Sequence, residues 1–255
     1  MRSQTKVNSR EFYEGFHKNQ RFPWISRIMQ SERLDVILGL ISKHAKNSET
    51  GNVLLVGCGS GDDMSLDPSA FGIDLSLQSL RNTKTRFNSS RVAQGDAQAL
   101  PFAGNTLDLV ICSEVIEHLP NRDLFFSEAY RILRYDGVLI LTTPNWKSWY
   151  GLARWTAEKI SGHPVTAAGQ PIDRWSTLEG LQDELVPEFN LLEAKGIWYY
   201  PPMGRGYSVL PFPFSAIWFY LFLPIEKTFR NIFPGWGHMI AVVVKKHTVD
   251  KSYPN

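Results

Sequence analysis

An α/β protein with a doubly wound, mostly parallel sheet is what this sequence predicts, on three observations. Continuous apolar runs such as Val53–Val56 and Leu107–Cys112 stop abruptly, as strands buried on both faces do. Helix-like stretches separate these runs at βαβ spacing between residues 53 and 143. Beyond residue 145 the grammar changes, and two further strand-like runs follow a segment rich in tryptophan, glycine and proline.

The elements follow in order. Residues 11–30 mix aromatic and charged side chains and are broken at Pro23. Leu34, Ile37, Leu38 and Ile41 then recur at helical spacing, with Ser31 as the expected N-cap. Val53–Val56 is the first strand, closed by Gly57. Ala70–Ile73 is the second, closed by Asp74, and Leu77–Phe87 reads as a helix. Arg91–Gln94 is a short third strand before the Gly95-Asp96 turn. Leu107–Cys112 is the fourth, and an amphipathic helix covers Leu124–Leu133. Gly137 is expected to stop that helix, and Val138–Thr142 to form the fifth strand, ended by Pro144. Leu178–Leu185 looks helical, while Leu191–Tyr200 and Met239–Lys245 look like strands.

The 255 residues suit one domain: a helical cap over 1–50, a ligand-binding core over 51–145, and an acceptor-side cap over 146–255. With 43% apolar and 20% charged residues, a core can form and wholesale disorder is excluded. The net charge of +2 leaves no basic field to grip a polyanion, which argues against nucleic acid as a partner. Cys58 and Cys112 are too few for a disulfide framework and lack zinc-ligand spacing, so no metal is expected. Residues 1–10 are polar with no apolar stretch behind them, which predicts no secretory leader and a cytoplasmic compartment.

Three strand ends carry the chemistry. Val53-Leu54-Leu55-Val56-Gly57-Cys58-Gly59-Ser60-Gly61 places glycines directly after a buried strand, where a ligand can approach the backbone. The spacing is G-x-G-x-G. Asp62 occupies the last glycine of the dinucleotide fingerprint and would face a pyrophosphate with like charge. A nucleoside ligand without phosphates suits this loop better. Asp74 ends the second strand and can accept from both hydroxyls of a ribose, or else cap the following helix. Asp96 ends the third, where it can accept from an adenine amino group or serve as a turn residue.

These stretches resemble the class I S-adenosylmethionine-dependent methyltransferases, in their small-molecule branch. The resemblance is carried by VLLVGCGSG (53–61), GIDLS (72–76), GDAQALPF (95–102), DLVICSEVIEHLP (108–120) and LRYDGVLILTTPN (133–145), in the family's order. It implies a Rossmann-like seven-stranded sheet with a C-terminal antiparallel hairpin, for which the last two strand-like runs are candidates. It implies S-adenosyl-L-methionine as methyl donor, with Gly57, Cys58, Gly59 and Gly61 along its methionine and ribose portion. Asp74 would hold the ribose hydroxyls, Leu75 would lie against adenine, and Asp96 and Ala97 would read the adenine edge. Ser113 and Glu114 would flank the methionine end. The chain departs from the pattern at Leu55, where an acid is common, and in the 12 residues between Gly61 and Asp74, which leave room for only a short crossover. These departures motivate a rival expectation: a scaffold that keeps the fold and the donor without turnover.

Methyl transfer needs alignment and, for a weakly acidic acceptor, a base. His118, just beyond the fourth strand, is the expected base, because imidazole titrates near neutrality. Asn145, after the fifth strand, is a second candidate to face the acceptor. The regions over the site are aromatic-rich: residues 198–236 hold 13 of the 32 aromatics. That favours an apolar small-molecule acceptor such as a quinone, an isoprenoid or a lipid head group. Residues 206–225 carry no charge, yet Pro211, Pro213 and Pro224 argue against a membrane-spanning helix. Peripheral contact with the inner face of a membrane is expected instead, through Tyr207–Ile225 and the flanking Arg205, Lys227 and Arg230.

Overall fold

A computed structural model of the chain describes residues 12–14, 24–45, 51–88, 90–166, 170–186, 188–200 and 214–246. The buried apolar runs become β1 (Val53–Val56), β2 (Phe71–Asp74), β3 (Arg91–Gln94), β4 (Leu107–Ser113), β5 (Leu133–Pro144), β6 (Phe189–Ile197) and β7 (Met239–Lys246). They form one sheet in the order β3-β2-β1-β4-β5-β7-β6. The first five are parallel, and β7 runs antiparallel between β5 and β6, in register from Val138 opposite Lys245 to Pro144 opposite Met239. Chain order reverses between β1 and β4, which opens a crevice at their carboxyl ends.

Strand alternation feeds two cores. One face of the sheet (Val53, Leu55, Leu109, Ile111, Ile140, Val243) packs with Met29, Val36, Ile37 and Leu40 of helix α1 (Trp24–His44). The other (Leu54, Val56, Val110, Cys112, Leu139, Val242) packs with helix α3 (Arg122–Ile132), through Phe125, Phe126, Ala129 and Ile132. Helix α2 (Leu77–Arg86) follows β2 and is capped by the Ser76 hydroxyl, which accepts from the Ser79 amide. The later helices are α4 (Trp149–Ser161), α5 (Leu178–Leu185) and α6 (Phe214–Ile232).

Several expectations need correction. Helix α1 begins at Trp24, so Ser31 lies inside it and caps nothing. Gly137 does not stop a helix: the chain is already extended from Leu133, and Asp136 takes a left-handed φ of 68°. A Cβ at Gly137 would sit 2.9 Å from the Arg134 carbonyl oxygen, so the glycine serves the strand's close approach. The first crossover holds a single 3-10 turn, Asp63–Ser65. The Trp-rich stretch after β5 contains α4, whose Ser148 N-cap and left-handed Gly162 C-cap are ordinary helix signals that its glycines and aromatics obscured. Pro224 lies within α6 rather than ending it. Pro211, Pro213, Arg205 and the start of the uncharged run fall outside the described residues. No helix among the described residues is long and apolar enough to cross a membrane.

Candidate functional site

The turn after β1 is built by positive φ angles that L side chains rarely adopt: 70° at Gly57, 52° at Gly59 and 91° at Gly61. A Cβ at Gly57 would collide with Val115, whereas one at Gly59 would meet nothing nearer than the Gly57 carbonyl at 3.9 Å. The backbone at Gly59 therefore borders open space. The amides of Gly57 and Cys58 both donate to the Ile73 carbonyl, at 2.7 and 3.1 Å, which bends the turn toward β2. The Cys58 side chain is buried in the core against Gly72, so that residue presents only its backbone to the crevice.

Asp74 completes the turn. Its Oδ2 accepts from the Gly59 amide and its Oδ1 from the Ser76 amide, both at 2.8 Å. A carboxylate can accept more than one hydrogen bond on each oxygen, which is the chemistry that two adjacent ribose hydroxyls would use. Ser76, not Asp74, caps α2, so the carboxylate is not consumed as an N-cap. Leu75 is partly exposed beside it. Asp96 accepts from the Gln98 amide at 2.9 Å in a local turn, next to the buried Ala97. The glycine turn, Asp74, Leu75, Asp96 and Ala97 thus lie at the carboxyl ends of β1, β2 and β3, an open cradle whose donors and acceptors suit an uncharged nucleoside.

The far wall follows β4. Ser113 Oγ lies 2.8 Å from Thr142 Oγ1, which donates to Glu114 Oε1 at 3.1 Å, and Glu114 has a φ of 56°. The 3-10 turn Ile116–His118 follows. His118 Nδ1 faces the Ile172 carbonyl at 2.9 Å; a carbonyl only accepts, so the proton sits on Nδ1 and Nε2 carries the lone pair. That Nε2 lies 3.6 Å from Glu117 Oε1. Glu117 is buried, takes a hydrogen bond from Thr143 at 3.3 Å, and is pushed up to about pH 8, mainly by removal from water and also by Asp173. Glu114 is likewise pushed up to about 8, first by desolvation and then by Glu117.

Other residues complete the crevice without a local sequence signal. Asp173 is gripped by Arg154 at 2.8 Å and by the Trp175 indole at 2.9 Å, and Arg154 lies over the rings of Trp146 and Trp175. The Arg174 amide donates to the Glu117 carbonyl at 2.9 Å, which ties this segment to the turn that carries His118. Asn145 lies elsewhere in role: its Nδ2 donates to the carbonyls of Gly235 and Gly237 at 2.8 Å, and its Oδ1 accepts from Lys147. Its polar atoms join β5 to the turn before β7 rather than facing the crevice. Asp62, which the fingerprint argument singled out, binds Arg86 at 2.6 Å, and the neighbouring buried Asp63 binds Arg33 at 2.6 Å. Among the described residues, no group of three or more His, Cys, Asp or Glu is placed to hold a metal ion.

The sheet order and this glycine–acid crevice define the class I methyltransferase fold. Residues 54–141 match the family described as "Methyltransferase domain", and this match together with the fold supports a class I S-adenosylmethionine-dependent methyltransferase. A "Probable S-adenosylmethionine-dependent methyltransferase" of Mycolicibacterium smegmatis is 33% identical over 98 residues, 37% of this chain and 38% of the relative. A fatty-acid O-methyltransferase of the same organism is 28% identical over 177 residues, 64% of each chain. The chain thus spans less than two thirds of either relative. A Thermotoga maritima S-adenosylmethionine-dependent methyltransferase of known structure shares the fold, with a TM-score of 0.56 at 16% identity over 88% of this chain and 98% of that one.

Proposed function

We propose that this protein moves a methyl group from S-adenosylmethionine to a small apolar or lipid-linked acceptor, such as a quinone, an isoprenoid or a lipid head group. The observation that carries the reading is Asp74, joined to the glycine turn at the chain's switch point and facing an acid-walled crevice. Gly57, Cys58, Gly59 and Gly61 would hold the donor by backbone, Asp74 its ribose, Leu75, Asp96 and Ala97 its adenine, and Ser113 and Glu114 its methionine end. The core over 51–145 would be the donor half, with the described residues before and after it as its cover.

When bound, the donor supplies an electrophilic methyl on a sulfonium, which leaves as a neutral thioether as the acceptor atom attacks in line. His118 takes the acceptor's proton at Nε2, and Glu117 faces the imidazolium so formed. Asn145 serves as a joint of the fold and not as an acceptor contact.

The apolar acceptor is supported by the aromatic cover and by the fatty-acid O-methyltransferase among the relatives. Cytoplasmic residence with peripheral membrane contact belongs to the same reading. Trp149, Leu152, Trp155 and Ile160 of α4 are exposed, as are Phe214, Ile217, Tyr220 and Leu221 of α6. The exposed charges on these two helices, Lys159 and Lys227, are both cationic. The test is to incubate the purified chain with methyl-labelled donor and a lipid extract. Label in an extractable apolar product is the expected result. Donor binding without any transfer would replace this reading with the scaffold, and absence of donor binding would overturn it.

A further inference from the structure

A helical turn at residues 12–14 reaches the donor site from far along the chain. Glu14 Oε1 accepts from the Leu77 amide at 2.7 Å, and Oε2 accepts from the Gln78 amide at 3.0 Å and the Ser76 hydroxyl at 3.5 Å. These amides open α2 and have no partner in its ladder, and a carboxylate there also meets the positive end of the helix. The helix does not need this carboxylate as a cap, because Ser76 already accepts from Ser79 at 3.1 Å. Holding residues 62–64 apart in sequence has a loop-closure cost that local capping would avoid. The contact therefore fastens the turn more than it starts the helix.

What it fastens lies beside the Asp74 turn. Ser76, touched by Glu14, gives its amide to Asp74, so the clasp reaches within two residues of the proposed ribose anchor. Tyr13 is partly buried, and its ring packs edge-on against Phe12 at 5.2 Å. Its phenol is pushed up to about 12, by burial first and then by the carboxylates of Glu117, Asp74 and Asp173.

We infer that Glu14 is a positioning residue for donor binding, a clasp on the start of α2 that holds the helical turn at residues 12–14, and Tyr13 with it, beside the Asp74 turn. The inference rests on the donor site proposed above. Donor entry and exit then require the clasp to open, and Glu14 sets the donor's residence time through Tyr13.

The test measures S-adenosylmethionine affinity, dissociation rate and donor-induced thermal shift in the full chain. In Glu14→Gln one acceptor oxygen becomes an NH2 group facing an amide N–H. Donor affinity should fall about tenfold, mostly as faster dissociation. Glu14→Asp, which keeps the charge, should recover part of the loss. Without donor, the thermal midpoint should stay within a few degrees of the parent, because the Ser76 cap remains. Tyr13→Ala should weaken the donor similarly, and Tyr13→Ala with Glu14→Gln should be no worse than either alone. Full additivity, or Glu14→Gln within about twofold of the parent in affinity and dissociation, would overturn the clasp while leaving the donor site standing. A parent chain that binds no donor would overturn both.

Discussion

Asp74 holds the turn after β1 through its bonds to the Gly59 and Ser76 amides, and the proposed site gives the same carboxylate the donor's ribose. Asp74→Ala should therefore weaken S-adenosylmethionine binding by about 1.5–3 kcal/mol or more, the scale of a charge-assisted hydrogen bond. Calorimetry showing parental affinity would remove Asp74 from the site. His118→Ala should slow transfer about 10²–10⁴-fold with donor affinity kept, and a rate within a few-fold of the parent at every pH would leave His118 a structural residue. Glu117 adds a pH signature. Its folded value, about 8, lies above the ordinary 4.5, so the folded chain holds this proton more tightly than the unfolded one. The stability it contributes is complete below the unfolded value and is lost as pH rises through the folded one. Glu117→Gln has no proton to lose. Its thermal midpoint relative to the parent should improve between about pH 5 and about pH 9. The buried His238, held down to about 3, titrates in both chains and cancels in the difference. A difference that is flat or falls with pH would show that Glu117 is ionised in the folded protein.

At the scale of elements, the cover is attached to the sheet through a buried acid rather than through apolar contact alone. Glu226, inside α6, accepts the Trp198 and Tyr199 amides at 2.8 and 2.7 Å just beyond the end of β6, and it lies 3.3 Å from Arg230. The Arg230 side chain also pairs with Glu32 of α1, which links the two helices on this face. Trp198 stacks near Phe219 of α6 and donates its indole N–H to Tyr150 of α4, so both cover helices back onto one buried ring. Glu226→Ala strands two buried amides, and chemical denaturation should report a loss of about 2–5 kcal/mol. The exposed Lys227→Ala should stay within about 0.5 kcal/mol. A Glu226→Ala chain within about 1 kcal/mol of the parent would mean that water satisfies those amides.

For the whole molecule, the outward apolar residues of α4 and α6 bear on where the acceptor is met. Flotation should carry the chain with anionic liposomes and much less with neutral ones, since Lys159 and Lys227 each contribute about 1 kcal/mol near an anionic surface. A high-salt or carbonate wash should release it. Protein that resists the wash would establish insertion, and protein that never floats would leave these side chains as an ordinary surface or a seam between proteins.

The sequence by itself determined the parallel half of the sheet and the place of the glycine turn and Asp74 at its edge. A strand buried on both faces must be an uninterrupted apolar run, and Gly57, Gly59, Gly61 and Asp74 sit immediately after such runs, so their place at the sheet's edge followed from their neighbours in the chain. Element ends drifted by a few residues, as at β5, because local propensity reports neither that Leu133 pairs with Leu107 of β4 nor that pairing with β7 runs on to Pro144. Only the tertiary structure decided the rest. Arg174 reaches Glu117 from more than fifty residues away, Glu14 reaches α2 from more than sixty, and Asn145 is turned toward Gly235 and Gly237 by an antiparallel strand that arrives last. Their partners are set by how helices and loops close over the sheet, and a buried carboxylate's proton affinity depends on that closure. No periodicity along the chain encodes it, because these contacts join segments whose local patterns are independent of one another.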